Sequence, residues 1–181
     1  MPEIERTREY STAGKDLCNF VESGPWEDAR EFIRSILEKV ASVYHAGTIF
    51  ENYVDPDELE ADAEYLRDPT SGGWLDGDAV DDATVAAISK HLIAIIGKQD
   101  GYSVILDPFG KKEAQKGSVV DDIVVIYRDI KDGFHGAKPG ILFRAIVNNW
   151  ADAFWTRWGK RAINLMGALH VWKDELDRKE S

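Results

Sequence analysis

Four histidines, one cysteine and 33 acidic side chains are the raw material for chemistry in this 181-residue sequence, and their spacing decides what they can do. A di-iron bundle needs Glu-x-x-His pairs, so that carboxylate and imidazole share one helix face. Three residues before His45, His91, His135 and His170 stand Ser42, Ile88, Asp132 and Gly167, so a single acid–histidine pair exists and it encloses Gly133. His-x-x-x-His zinc spacing is absent. Asp76-Gly77-Asp78 suggests a calcium loop, but an EF-hand then wants an oxygen ligand and a glycine where Val80 and Asp81 stand. No metal ligand set and no cofactor motif is therefore expected. Acids three apart, at Asp28 and Glu31, Asp57 and Glu60, and Asp129 and Asp132, could share a helix face and hold Mg²⁺. They keep a Mg-dependent small-molecule phosphohydrolase as the alternative function. None matches the glutamate pattern of helical nucleotide pyrophosphatases. Cys18, between Leu17 and Asn19 on a helical stretch, reads as a buried inert thiol. Gly-x-Ser-x-Gly, P-loop and Gly-x-Gly-x-x-Gly motifs are all missing, so no catalytic residue is assigned.

The densest cluster of unusual side chains is aromatic and basic: Trp150, Phe154, Trp155, Arg157, Trp158, Gly159, Lys160 and Arg161. Trp158 is in phase with an apolar stripe and is expected in the core. Trp155 falls on another face, and Gly159 permits close approach by a neighbour. His170 lies about 100° around the helix from that stripe, at the boundary of core and solvent.

Elements that could position these groups are helical. Leu17, Phe20 and Val21 mark a short first helix behind a flexible arm over residues 1–11, with one helical domain expected over 12–178. Trp26, Ala29, Phe32, Ile33, Ile36, Leu37, Val40 and Tyr44 form a continuous stripe, with Pro25 suited to the first turn. A short acidic helix is predicted after Asp55-Pro56, and a turn cluster over 68–80. Asp81 or Asp82 can cap a helix running to about Ile96. Tyr102–Leu106 is the plausible strand, followed by a basic loop to Gly117. Ser118 with Asp121 resembles a capping box for a helix that buries Ile123, Ile126, Tyr127 and Ile130. A last helical pattern runs from about Ile141 to Arg178. Straight, it would reach roughly 57 Å, against a radius of gyration of about 16 Å for a globule this size, so a bend or break is predicted between Asn148 and Gly159. The sum is an all-α, single irregular helical bundle of five to seven helices with at most one or two short strands.

Charge narrows the partners. With 22 bases and 33 acids the chain carries minus 11, which repels nucleic acid and anionic lipid. The excess sits in residues 51–82, twelve acids against one base, whereas residues 111–181 hold 13 bases and 10 acids. No apolar run is long enough to span a bilayer, and the charged first residues do not resemble a secretory signal. A cytoplasmic protein is expected.

Three stretches resemble one known family. Leu17-Cys18-Asn19-Phe20-Val21-Glu22, Ile126-Tyr127-Arg128-Asp129-Ile130-Lys131-Asp132, and Trp158-Gly159-Lys160-Arg161 through Asn164 to Ala168-Leu169-His170 are similar to bacterial "domain of unknown function 5063" proteins. Order and spacing agree over about residues 12–172, and the tryptophan-glycine to alanine-leucine-histidine helix is the most specific part. The resemblance implies an all-helical bacterial cytoplasmic domain, in a family with no established activity to lend. Carried over by position, the binding candidates are Tyr127, Asp129, Trp158, Arg161 and His170, expected to line a groove between the last two helices. The resulting expectation is a protein-interaction or regulatory module without catalysis. Its partner would be another protein or a second copy of the chain.

Overall fold

A computed structural model describes residues 3–48, 50, 80–104, 114–136 and 143–179 of the chain. In order these form α1 (Glu3–Glu22), α2 (Ala29–Gly47), α3 (Asp82–Ile96), a 3₁₀ turn at Gly97–Gln99, β1 (Gly101–Val104), β2 (Gln115–Ser118), α4 (Val119–Gly136), α5 (Phe143–Ala153), a π-helical segment at Phe154–Trp158, and α6 (Gly159–Arg178). The fold is all-α, with one two-stranded antiparallel ribbon. Helix α1 packs on α2, α2 on α6, and α4 on α1, α3 and α6. The acidic helix predicted after Asp55 and the turn cluster before Val80 lie outside the described residues.

Helix boundaries follow from side-chain caps. Asp28 accepts from the Arg30 and Glu31 backbone N–H groups at 2.8 and 3.1 Å and starts α2. Pro25 therefore lies in the turn before the helix, in a cis peptide with Gly24, and not in its first turn. Asp81 caps α3 by accepting from Thr84 N–H, and Gly97, at φ 58°, ends it. The Ser118 hydroxyl accepts from Asp121 N–H at 3.0 Å and donates to Asp100 at 2.9 Å, while Asp100 also accepts from Val120 N–H at 2.8 Å. The turn before β1 and the end of β2 thus share the cap of α4.

Two expectations change. Residues 7–11 are not a flexible arm: Thr7, Tyr10 and Ser11 are buried within α1. Tyr10 stands in an aromatic cluster, with ring centroids 4.8 Å from Phe50 and 5.1 Å from Trp150. The basic stretch before Ser118 is also not all loop. Gln115–Ser118 pairs with β1, Tyr102 opposite Gly117 and Val104 opposite Gln115. A side chain at Gly117 would strike Tyr102 and Val104, so glycine is what lets those two lie over β2.

The last helical pattern does not break. It continues from Phe143 to Arg178, and its irregularity is the π turn at Phe154–Trp158, where Gly159 N–H bonds to Phe154 C=O five residues back. The cause is a run of fours, Ile146, Trp150, Phe154, Trp158 and Ala162. Each step of four overshoots one α-helical turn by about 40°, so the run drifts by about 160°, wider than the core-facing stripe of a regular helix. A wider turn absorbs the excess, and all five are buried. A Cβ at Gly159 would lie 2.5 Å from the Phe154 carbonyl oxygen, whereas one at Gly167 would meet nothing within 4 Å. Gly159→Ala is expected to lower stability by about 1–3 kcal/mol through backbone displacement. Gly167→Ala gains up to about 1 kcal/mol from helix propensity. Thermal melts of the two variants side by side check the contrast.

Candidate functional site

The five candidate binding residues do not share one cleft. Tyr127 is buried, and its hydroxyl donates to Glu22 Oε1 at 2.8 Å, where Lys131 Nζ also binds at 2.8 Å. It fastens α4 to the end of α1, and its phenol is held far above its ordinary range by burial and by the Glu22 carboxylate. Trp158 is fully enclosed, edge-on to Phe154 at 5.0 Å. Asp129 is half-buried, 3.4 Å from Arg157 Nε, with its Oδ2 enclosed and lacking a hydrogen-bond partner among the described residues. His170 is exposed on α6. Arg161 is the one of the five whose half-exposed charge is held by a buried acid.

Arg161 Nη1 donates to Asp122 Oδ1 at 2.6 Å, and Tyr102 Oη donates to the other oxygen of the same carboxylate. Asp122 is 5% exposed, whereas the Arg161 side chain is 48% exposed. Burial and the Asp122 contact push the Tyr102 phenol far above its ordinary range, so it serves as a donor. One buried carboxylate on α4 thereby ties β1 to the start of α6.

Beside that tie lies a groove of about 520 Å³ between β1 and α6. Gly101, Tyr102 and Ser103 form one wall; Ile163, Gly167 and Val171 run along the other. Ile163 and Val171 are 52% and 58% exposed, and they stand one helical turn either side of Gly167 on the same groove wall. The open space over Gly167 leaves the helix backbone between them approachable. Sequence reasoning missed Asp122, Tyr102, Ile163 and Val171. Asp122 was detectable, since it falls in phase with the buried positions Val119, Ile126 and Ile130. Ile163 and Val171 were detectable as apolar residues off the main stripe of α6.

Acid pairs are used structurally where they are described. Asp28 caps α2, Asp129 faces Arg157, and Asp132 lies 3.4 Å from Val80 N–H. Asp57 and Glu60 fall outside the described residues. Among the described residues no three His, Cys, Asp or Glu side chains gather as a metal site would require. Cys18 is buried and its thiol is pushed up to about 12 by burial. None of the described helices is long and apolar enough to cross a membrane.

Fold and site define an irregular helical domain built round a long α–π–α helix. The profile of a domain of unknown function, DUF5063, matches residues 4–174, and the chain belongs to that family. Among solved structures it is similar to the crystal structure of protein BF1032 from Bacteroides fragilis. The TM-score is 0.64 at 20% identity, with 93% of this chain and 95% of that one covered, which is a likeness of fold. No curated protein matches the chain.

Two measurements probe the buried acids. Asp122→Ala and Arg161→Ala should each destabilise the fold, and a double-mutant cycle should give a coupling of about 1–2 kcal/mol. Additive losses would separate the two side chains. Asp129 is held above the ordinary carboxylate range by burial, which outweighs the opposing Arg157 charge, with Asp132 adding to the rise. An acid whose folded pKa is raised weakens the fold once ionised, and the penalty grows as pH climbs through the unfolded and then the folded value. Asp129→Asn is therefore expected to raise the melting temperature at pH 7. The gain should shrink as the buffer is acidified through the carboxylate range.

Proposed function

We propose that this chain is a protein-interaction or regulatory module of the bacterial cytoplasm, without catalysis of its own, that docks its partner in the groove between β1 and α6. The observation that carries this reading is the pairing of two exposed aliphatic side chains, Ile163 and Val171, with an approachable helix backbone at Gly167. Apolar surface that is left in water beside a concave wall gains free energy when a partner covers it. Arg161, tied through Asp122 to Tyr102 in the groove wall, supplies the polar anchor beside it. The buried Asp122 fixes one end of its guanidinium, so less side-chain freedom is lost when the other end meets a carboxylate or carbonyl. Arginine is among the residues that concentrate binding energy at interfaces.

Tyr127, Asp129 and Trp158 support the site from within in this reading. Tyr127 and Trp158 hold α4 and α6 in place, and Asp129 engages Arg157 at the π turn. Arg161→Ala is a poor test of docking, because it also removes a partner from a buried carboxylate. Val171→Asp is cleaner. At 58% exposure it should leave the melting temperature within about 1 °C and weaken partner binding at least about tenfold. Quantitative co-purification of the tagged wild-type and variant chains from native cells reads this out. A variant that retains every wild-type partner at wild-type stoichiometry overturns the groove as the docking surface.

A further inference from the structure

We infer that the occupant of the α6 face is a second copy of this chain, its α6 lying antiparallel across the first, with Gly167 at the two-fold axis. This rests on the reading of the groove as a docking surface and names its partner. The inference comes from the order of residues along the exposed side of α6. Lys160, Ile163, Gly167, Val171 and Glu175 are all exposed there, and Asp174 is half-exposed. Ile163 and Val171 stand four residues either side of Gly167, and Lys160 and Asp174 stand seven either side, about 10 Å along the axis. A two-fold axis through Gly167 exchanges n residues before it for n residues after it on the other copy. Ile163 of each chain then meets Val171 of its twin, and Lys160 meets Asp174 and Glu175. Both the aliphatic contact and the opposite charges occur twice. A parallel arrangement would set like charges together.

Charge elsewhere favours this face for self-association. The whole chain carries minus 11, so two copies repel over most orientations. Helix α6 has four bases, Lys160, Arg161, Lys173 and Arg178, against three acids, Asp174, Glu175 and Asp177. It is nearly neutral, with bases at its start and acids gathered near its end. Glycine at the crossing point lets the two backbones approach closely, because a Cβ there meets nothing within its own chain.

Light scattering after size exclusion, over a hundredfold range of concentration, should give twice the chain mass of 20.3 kDa at the upper end. Gly167→Leu, whose Cβ meets nothing within 4 Å of its own chain, should give the monomer mass with a melting temperature no lower than that of the wild type diluted to its monomer. Lys160→Glu should weaken the dimer about tenfold, two pairs being lost, and the further changes Asp174→Lys and Glu175→Lys should restore it. Monomer mass at every concentration overturns the inference, and so does a dimer indifferent to all of these variants. If the monomer still co-purifies a different protein in a manner that Val171→Asp abolishes, the docking groove stands and only the second copy falls. If no partner is found either, both fall.

Discussion

The constraint on which this fold turns is the phase of one long helix. Ile146, Trp150, Phe154, Trp158 and Ala162 are all buried and spaced by fours, a rhythm that drifts about 160° around a regular α-helix. The π turn resets the phase, and glycine at 159 makes it possible, since any side chain there would collide with the carbonyl that closes the wider loop. Its consequences spread outward. Gly47 on α2 lies against the Phe154 ring, close enough that a Cβ would be 2.6 Å from it, and Tyr44 packs on the same ring at 5.4 Å. Gly133 on α4 accommodates the Trp150 indole in the same manner. Glycines on α2 and α4 thus make room for Phe154 and Trp150 of one helix.

Polar ties then fix what the aromatic packing leaves free. Arg30 on α2 donates to the Leu176 carbonyl at 2.9 Å and lies 3.7 Å from Asp177, satisfying the C-terminal end of α6. Trp155, on the outer face of the π turn, donates to the Phe50 carbonyl at 3.0 Å. Asp122 joins β1, α4 and α6 through a single carboxylate. Because a buried carboxylate needs donors to offset its lost hydration, that tie also sets where the guanidinium of Arg161 emerges. The direction of a surface charge is thereby a property of the core.

Several readings of the sequence failed for identifiable reasons. The first helix looked short because Thr7, Ser11 and Gly14 are not apolar, yet with Tyr10, Leu17, Cys18 and Val21 they complete a stripe at steps of three and four. Small and hydroxyl-bearing residues fill tight interior positions without raising hydropathy. Gln115–Ser118 has no alternation of apolar residues and is a strand only because β1 supplies its partner. Tyr127 and Trp158 resemble interface residues by type, but aromatic side chains serve cores and interfaces alike.

What the sequence settled by itself was local: periodicities of three and four, a cap at Asp81 or Asp82 and another at Ser118, and the stretch 148–159 of the last helix as the place of an irregularity, though not its form. These depend on neighbours within a few residues, and chain order contains them. Tertiary structure alone decided what the buried Asp122 pairs with, because Tyr102 and Arg161 lie 20 and 39 residues away from it. It also decided that Ile163 and Val171 remain uncovered by the chain's own described elements. Exposure is the outcome of how every other helix packs, and no window of sequence carries that sum.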